Sequence, residues 1–525
     1  MIVRRLLDWQ SRRRTPRSPG LRGGLALPRD KPGLDRDIVE VPLPRVLVLP
    51  LVGHGGRTLA PMVAVGDRVA RGQSLGPGLL ASAAATVTAI EARPIAHPAG
   101  RPAPCVVLTT DAIDAPDIPV AATFPEPLRP TLPPLERLTR ERLTACAVTG
   151  LGGAGFPTPD KLVTDTMQAL VVNGAECEPG IACDEALMQV AAGEIVAGAL
   201  ALARLVSASR CLLVIEDDKV AAKHALRAAI ATQTDGTEGL EPRLVTIAPR
   251  YPSGAERLLI RLATGIDVPG GERPADHGVL CVNVATARAA HRARLGEPLL
   301  SRIVTVAGGR AQAPCNARVP FGTSFAAVLD ATGQRPRADD TRCRSGGALS
   351  GFDVAYEQVA VTATVNRIAV EPPLTSAPSS PCIRCAACSD VCPVALLPQA
   401  LLHHARADAT TAAEGIAIRG TSIHRAALDR GGLGDCLECG CCDLVCPSSI
   451  PLTATFRHAR GVRRNARRNE ADAARAEDLH RRRETRLAAR VTQAPVARPL
   501  PSAGSALERA RARRRRSRAR ENGDR

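Results

Sequence analysis

The apolar positions change their spacing along the chain, and each change predicts a different element. VLVLPLV (46–52) and TVTAIEA (86–92) are short β-branched runs separated by Gly and Pro turns, which predicts a β-rich region over 41–112. From 140 to 290 the runs become apolar at nearly every position: ALVVN (169–173), RCLLVIED (210–217) and PRLVTIAP (242–249). Strands of that kind are buried on both faces, as in a parallel sheet covered by helices. Between them, DEALMQVAAGEIVAGALALARLV (184–206) reads as one helical stretch. Over 291–370 short strands return as RIVTVAGG, ARVPFGTSFAAVL and QVAVTATVNRIAV, which predicts a small β-rich unit.

The remaining segments lack a strong period. Residues 1–40 are basic and rich in Pro and Gly, and read as an extended lead-in; 113–139 read as a proline-rich linker. Residues 371–456 hold a block of cysteines. Residues 457–525 are dominated by Ala, Arg and Glu and read as a basic tail, a solvated helix fraying into disorder. The expected fold class is therefore multidomain α/β.

Composition narrows the function. The chain has 525 residues, enough for several domains, and is 45% hydrophobic but only 2% aromatic. Cores of Ala, Val and Leu follow, and the scarcity of aromatic platforms argues against nucleic acid as a partner. The net charge of +17 is concentrated at the two ends, which suits an acidic partner, an anionic membrane surface or plain solvation. No apolar run approaches the roughly 20 residues of a membrane span. The start, MIVRRLLDWQSRRR, lacks the apolar region of a secretory signal, so a cytoplasmic setting is expected. Seventeen cysteines in that setting point to metal rather than disulfides.

The cysteine block is the most specific signal. CIRCAACSDVCP (382–393) and CLECGCCDLVCP (436–447) both match C-x-x-C-x-x-C-x-x-x-C-P, the spacing of two-cluster bacterial ferredoxins. Three thiolates of one tight turn grip three irons of a cube, and the fourth reaches the other cube. Cys382, Cys385 and Cys388 are thus expected to share a 4Fe–4S cluster with Cys446, and Cys436, Cys439 and Cys442 to share one with Cys392. A pair of zinc sites would prefer two C-x-x-C pairs per ion rather than three plus one. Cys441 breaks the spacing and is expected to be a bystander, and Cys105, Cys211, Cys281 and Cys343 to be core residues.

A second signal is GLGGAGFPTPDK (150–161). Gly150, Gly152 and Gly155 satisfy G-x-G-x-x-G, with Gly153 between them, but Pro157 and Pro159 delay any helix. A helix capped by Thr158 with Pro159 at its first position would make an anion cradle, with Lys161 as a point charge; a tight turn packed on a sheet is the alternative. Glu176 and Glu178 follow a strand ending at Asn173, where α/β proteins place ligands, although a capped turn also explains them. In YPSGAERLLIRLATG (251–265), Ser253 and Glu256 fit a capping box.

Taken together, GLGGAGFPTPDKL, VVNGAECEPGIACDEALM, YPSGAERLLI and the two cysteine runs resemble the RnfC family, one of the subunits of the Rnf-type ion-translocating electron transport complex. RVLVLPLVGHGG and VAVGDRVARGQ extend the resemblance, which covers roughly 38–456. The family's flavin part is similar to the NADH-binding subunit of respiratory complex I. The resemblance implies a barrel-sandwich-like domain over 41–112, an FMN- and NADH-binding domain over 140–290, a β-grasp-like module over 291–370 and a two-cluster ferredoxin-like domain over 371–456. It implies non-covalent FMN, NAD(H) as substrate, and a site of the glycine loop, Lys161, Asn173, Glu176, Glu178, Tyr251, Gly254, Glu256 and Asn283. Glu178 would stand beside the nicotinamide. Ala175 and Ala255 replace acidic residues of the complex I relative. VAVGDRVARGQ is similar to the turn of biotinyl and lipoyl carriers, but LLASAAATVTAI carries no lysine, so that domain reads as structural. The implied role is electron input to a membrane complex on the cytoplasmic face of the bacterial inner membrane. Its partners would be the other subunits and NADH, with ferredoxin as a further one, and no side chain need serve as a general base. A microcompartment-type cobalamin reductase and a non-enzymatic iron–sulfur relay are the alternatives.

Overall fold

A computed structural model describes residues 21–29, 31, 33–35, 37–111, 132–162, 166–233, 239–307, 314–334, 342–372, 378–413, 423–492 and 503–521. Most of the basic lead-in's first half and of the proline-rich linker lies outside them. The chain divides into two compact units, 1–457 and 458–525.

In the first unit, strands Val46–Pro50, Ala103–Thr110, Ala85–Arg93 and Arg68–Val69 form an antiparallel sheet in that order, and Ser74–Gly76 pairs with Leu79–Leu80. Leu47, Leu49, Val87, Val106 and Leu108 fill its core. The alternation in VLVLPLV therefore marks the buried face.

The central domain is a parallel sheet in the order Pro242–Ile247, Cys211–Glu216, Ala169–Asn173, Val279–Asn283. The continuous apolar runs are explained by burial on both faces. Leu170, Val172, Leu213 and Leu280 face one core, built with Ile195, Val196, Ala199 and Ala287. Val171, Leu212, Val214 and Cys281 face the other, built with Leu259 and Ile260. The expected single helix over 184–206 is two, Cys183–Val190 and Ala192–Leu205, with a 95° bend at Ala191. Periodicity could not reveal the break, because Leu187, Met188, Ile195 and Val196 all reach the same core only once the chain turns.

The third domain is a mixed six-stranded sheet: Val39–Glu40, Cys315–Pro320, Ser301–Ala307, Arg367–Glu371, Arg342–Ser345, Phe352–Val354. Two strand expectations are corrected here. ARVPFGTSFAAVL leaves its strand at Pro320, and Ser324 caps the helix Phe325–Ala331 by accepting from Ala327 N at 3.2 Å. A short apolar run does not separate helix from strand, and the serine was the overlooked signal. Of QVAVTATVNRIAV, only the end belongs to the sheet, as part of Arg367–Glu371. The edge strand comes from the lead-in: Val39 and Glu40 pair with Ala317 and Arg318.

The cysteine region carries helices Ala387–Asp390, Pro398–Ala413, Ile423–Arg430 and Cys441–Leu444. Its two runs share a backbone. Arg384 and Glu438, Ala386 and Gly440, and Ala395 and Ser449 are matched pairs, all with positive φ. The second unit contains most of the helix Leu452–Thr492 and the helix Ala503–Glu521. Where described, the tail is thus helical rather than disordered. Ala, Arg and Glu favour the helix, and pairs such as Arg482–Asp478 at 2.9 Å add to it one turn apart.

Helices Ala192–Leu205 and Val284–Arg294 touch at Gly198, where an added Cβ would lie 1.8 Å from the Ala287 carbonyl oxygen. Gly198→Val forces the helices apart and is expected to destabilise the chain by about 2–4 kcal/mol, read as a lower midpoint in urea unfolding.

Candidate functional site

The glycine loop is a closed turn. Gly150 N donates to Phe156 O at 2.7 Å, and Thr149 bridges Pro157. Gly153 has φ +104 and open space where a Cβ would stand, and Gly152 faces the Asn283 side chain. The helix that follows is Thr158–Lys161 with Pro157 as N-cap, one residue earlier than expected. Lys161 is not a lone charge: Nζ donates to Glu256 Oε1 and to Cys281 O, both at 3.0 Å. His54 of the N-terminal domain lies 3.1 Å from Ala154 O and packs edge-on to Phe156.

Asn173, at the end of its strand, donates to Gly254 O at 2.9 Å and accepts from Ala175 N at 3.0 Å. This ties the strand end to the 251–256 segment, and a Cβ on Gly254 would lie 2.8 Å from Ala175 O. The capping box expected of Ser253 and Glu256 does not form. The helix Glu256–Thr264 has Ala255 as N-cap with no side-chain bond, because Glu256 is already its first residue. Ser253 Oγ and Thr158 Oγ1 are instead buried without a hydrogen-bond partner among the described residues. Orphaned donors beside an open glycine turn are what a flavin or nucleotide phosphate would satisfy, so the residues present fit FMN.

The two glutamates have separate tasks. Glu176 is buried and accepts from Asp184 N at 3.0 Å and Glu185 N at 3.3 Å, capping the helix Cys183–Val190. Glu178, expected beside the nicotinamide, accepts from Leu349 N at 2.7 Å and from Ser350 N and Oγ at 2.8 and 2.7 Å. It thereby ties the central domain to the third. Asn283 caps Val284–Arg294 through Ala285 N and donates to Asp184 Oδ2 at 2.6 Å.

Two cations went unnoticed in the sequence. Lys31, from the lead-in, donates to Glu176 O and, at 2.7 Å, to Ile181 O, and lies 3.9 Å from the Glu176 carboxylate. Lys219 is buried between Glu185 at 3.0 Å and Glu216 at 3.2 Å. Burial alone would lower the Lys219 pKa, but Glu216, Glu176 and Glu185 raise it overall, whereas burial pushes Glu216 up. Glu176, Cys183 and Asp184 present ligand atoms within 4.8 Å of one another. The Glu176 carboxylate is taken by the helix amides, and Asn283 holds Asp184, so a structural role explains the group.

In the cysteine region, one cavity is lined by Cys382, Cys385, Cys388 and Cys446, with Gln399 and Leu402 among its walls. Burial pushes the Cys392 thiol up, and the charge of Cys439 adds to it; burial likewise raises Cys442, with Cys439 and Cys436 contributing. Backbone amides point at sulfur: Arg384 N to Cys382 Sγ and Glu438 N to Cys436 Sγ at 3.4 Å, and Leu396 N to Cys392 Sγ at 3.3 Å. Eight thiols with N–H···S bonds and an apolar lining fit iron–sulfur clusters, whose potentials such bonds tune. Cys441 is buried and its thiol bonds to that of Cys439, so it is not idle.

This is the architecture of an oxidoreductase component with separate flavin and iron–sulfur domains. Residues 20–113 match the RnfC barrel sandwich hybrid domain, 143–292 the Nuo51 FMN-binding domain and 378–450 the 4Fe–4S dicluster domain. The chain belongs to the RnfC family, whose curated members are subunits of ion-translocating oxidoreductase complexes. It is 39% identical to the member from Pseudomonas aeruginosa over 403 residues, covering 74% of this chain and 50% of the relative. It is 36% identical to the member from Vibrio cholerae over 385 residues, covering 71% and 48%. The chain thus spans about half the length of the curated relatives it matches. A crystal structure of an NAD+-reducing NiFe-hydrogenase covers 51% of this chain and 48% of its own at 19% identity, with a TM-score of 0.37, too low to carry weight. Among the described residues no single helix is long and apolar enough to cross a membrane.

Burial, with Glu176 next to it, raises the Asp184 pKa from the ordinary 3.8 to about 7. The folded value lies above the unfolded one, so stability from this group is full below 3.8 and is lost as pH rises through about 7. Asp184→Asn is expected to flatten that part of the profile, measured as melting temperature against pH from 4 to 8 on the whole chain.

Proposed function

We propose that this chain is an NADH-linked electron-input subunit of a membrane-bound ion-translocating complex, peripheral on the cytoplasmic face of the bacterial inner membrane. FMN, held non-covalently, accepts the hydride of NADH and passes electrons on singly; 4Fe–4S clusters carry them. The other subunits are its partners, with ferredoxin as a further one. The observation that carries this reading is the cavity that gathers Cys382, Cys385 and Cys388 with Cys446 across 54 residues of sequence, in the same compact unit as the glycine turn. Cys436, Cys439, Cys442 and Cys392 are the second ligand set.

The chain's own residues bind and position. Gly150, Gly152, Gly153 and Gly155 keep a turn open for phosphate, with Lys161 supplying the cation and Glu256 holding it in place. Asn173 and Gly254 close the strand end against the segment of Tyr251. Glu176 and Asn283 fix the two helices that border the pocket. Glu178 fixes the wall contributed by the third domain. No side chain serves as a general base.

Anaerobically reconstituted protein is expected to hold about eight irons, with Cys446→Ser damaging the cluster of Cys382, Cys385 and Cys388 rather than the nearer one in sequence. Lys161→Ala should weaken FMN or NADH binding by about ten- to a hundredfold with both clusters intact. About four irons, bound zinc, or wild-type protein that takes up no flavin would count against the reading. In that last case the non-enzymatic relay moves ahead.

The basic helices of 458–525 suit an anionic lipid surface or an acidic partner in the complex. Phe456 and Ala459 are buried, so a truncation must end later, for example after Asn465. Such a chain should oxidise NADH normally and leave membranes more readily at moderate salt. Equal retention would make the helices solvated surface only.

A further inference from the structure

The two cysteine sets do not stand equally close to the flavin-binding segment. We infer that the Cys436, Cys439, Cys442 and Cys392 set is the inner one, which exchanges electrons with the flavin site first, and that the Cys382, Cys385, Cys388 and Cys446 set is the outer one, which meets the next carrier. The inference rests on the reading of the chain as an NADH-linked carrier and assigns an order within it.

Contacts from several directions join the inner set to the flavin domain. The Tyr251 hydroxyl, on the segment that packs against Asn173, donates to Cys439 O at 2.6 Å, and the Tyr251 side chain is buried. The Tyr251 backbone pairs with Leu25 in both directions, at 2.7 and 2.9 Å. The next residue of that strap, Gly24, donates to Val391 O at 2.8 Å, beside Cys392. Gly23 lies so close that an added Cβ would sit 2.5 Å from Cys392 O. Arg250, adjacent to Tyr251, holds the strap through Gly23 O and Gly24 O.

On the other side, Asp435, the neighbour of Cys436, accepts from Gly270 N at 2.8 Å and from Arg257 at 3.0 Å. Gly440 faces Leu349, whose amide holds Glu178. The inner set is therefore bounded by the segments that carry Tyr251, Arg257 and Glu178.

The outer set is enclosed differently. Its cavity is walled by Ile383, Ala386, Gln399, Leu402, Ile450 and Leu452, all from the cysteine region itself. Cys382 and Cys385 are exposed, and Ile383 is 68% exposed between them. Electron tunnelling falls off exponentially with distance and is helped by bonded contact. The hydrogen-bonded set thus takes the exchange with the flavin side, and the exposed set the exchange with a second redox protein. One NADH releases two electrons and a proton; one electron can rest on each set and the proton passes to solvent.

The test uses the full chain, purified and reconstituted without oxygen, as wild type, Cys385→Ala and Cys436→Ala. Each variant should keep about four irons, and cluster reduction is followed by low-temperature electron paramagnetic resonance after NADH or after dithionite. In Cys385→Ala, NADH should reduce the remaining cluster at the wild-type rate. In Cys436→Ala, dithionite should reduce the remaining cluster, but reduction by NADH should be at least about tenfold slower. The dithionite signal and the flavin content show that each variant is folded. Rapid-freeze spectra of the wild type give a second measurement: the signal lost in Cys385→Ala should grow in after the other. The reverse order, or NADH reduction of Cys436→Ala at the wild-type rate, overturns the assignment while leaving the NADH-linked reading standing. Wild-type protein whose clusters accept electrons from dithionite but none from NADH overturns that reading and this inference together.

Discussion

Burying carboxylates at the carboxyl end of the parallel sheet is the constraint on which the rest depends. Glu176, Glu185 and Glu216 are all buried there, which is tolerable only with cations and donors on every side. Lys219 satisfies two of them from within the domain. The third, Glu176, is held by the amides of a helix end and approached by Lys31 from the lead-in. The chain has only four lysines, and every one is engaged at this domain: Lys31, Lys161, Lys219, and Lys223 on Asp217. Elsewhere arginine carries nearly all the positive charge. A compact ammonium suits a narrow polar pocket better than a planar fork.

That neutralised loop is also where the domains meet. Lys31 anchors the lead-in to it, and from there the strap runs to Tyr251 and to Cys392 in one direction and to the edge of the six-stranded sheet in the other. Glu178 extends the same loop to Leu349 and Ser350. The segment between Asn173 and Asp184 therefore serves the pocket and the interfaces at once. A lesion there would be felt in both cofactor regions.

Legibility in the sequence followed the range of each interaction. The strands Ala169–Asn173, Cys211–Glu216 and Pro242–Ile247 were visible because burial on both faces leaves an unbroken apolar run. The turns of the cysteine runs were visible because ligand spacing is itself local. The break at Ala191 and the helix Phe325–Ala331 were missed, because short apolar stretches look alike whichever backbone they adopt. The capping box at Ser253 was a correct pattern in the wrong frame: the helix begins at Glu256, so the serine lies too far ahead of it.

By itself, the sequence determined the kinds of chemistry this chain can carry: thiols spaced three plus one, an open glycine turn, and strands that end in Asn173 and Asn283. Each is a pattern within a few residues, and backbone geometry alone turns such a pattern into a site. The tertiary structure decided which residue does what. It made Glu176 a helix cap, joined Lys161 to Glu256 across 95 positions, and brought Lys31 to the loop of Glu176 across 145. It also set Tyr251 against Cys439 across 188. Pairings at such separations depend on how whole domains pack, and no periodicity or spacing along the chain encodes them.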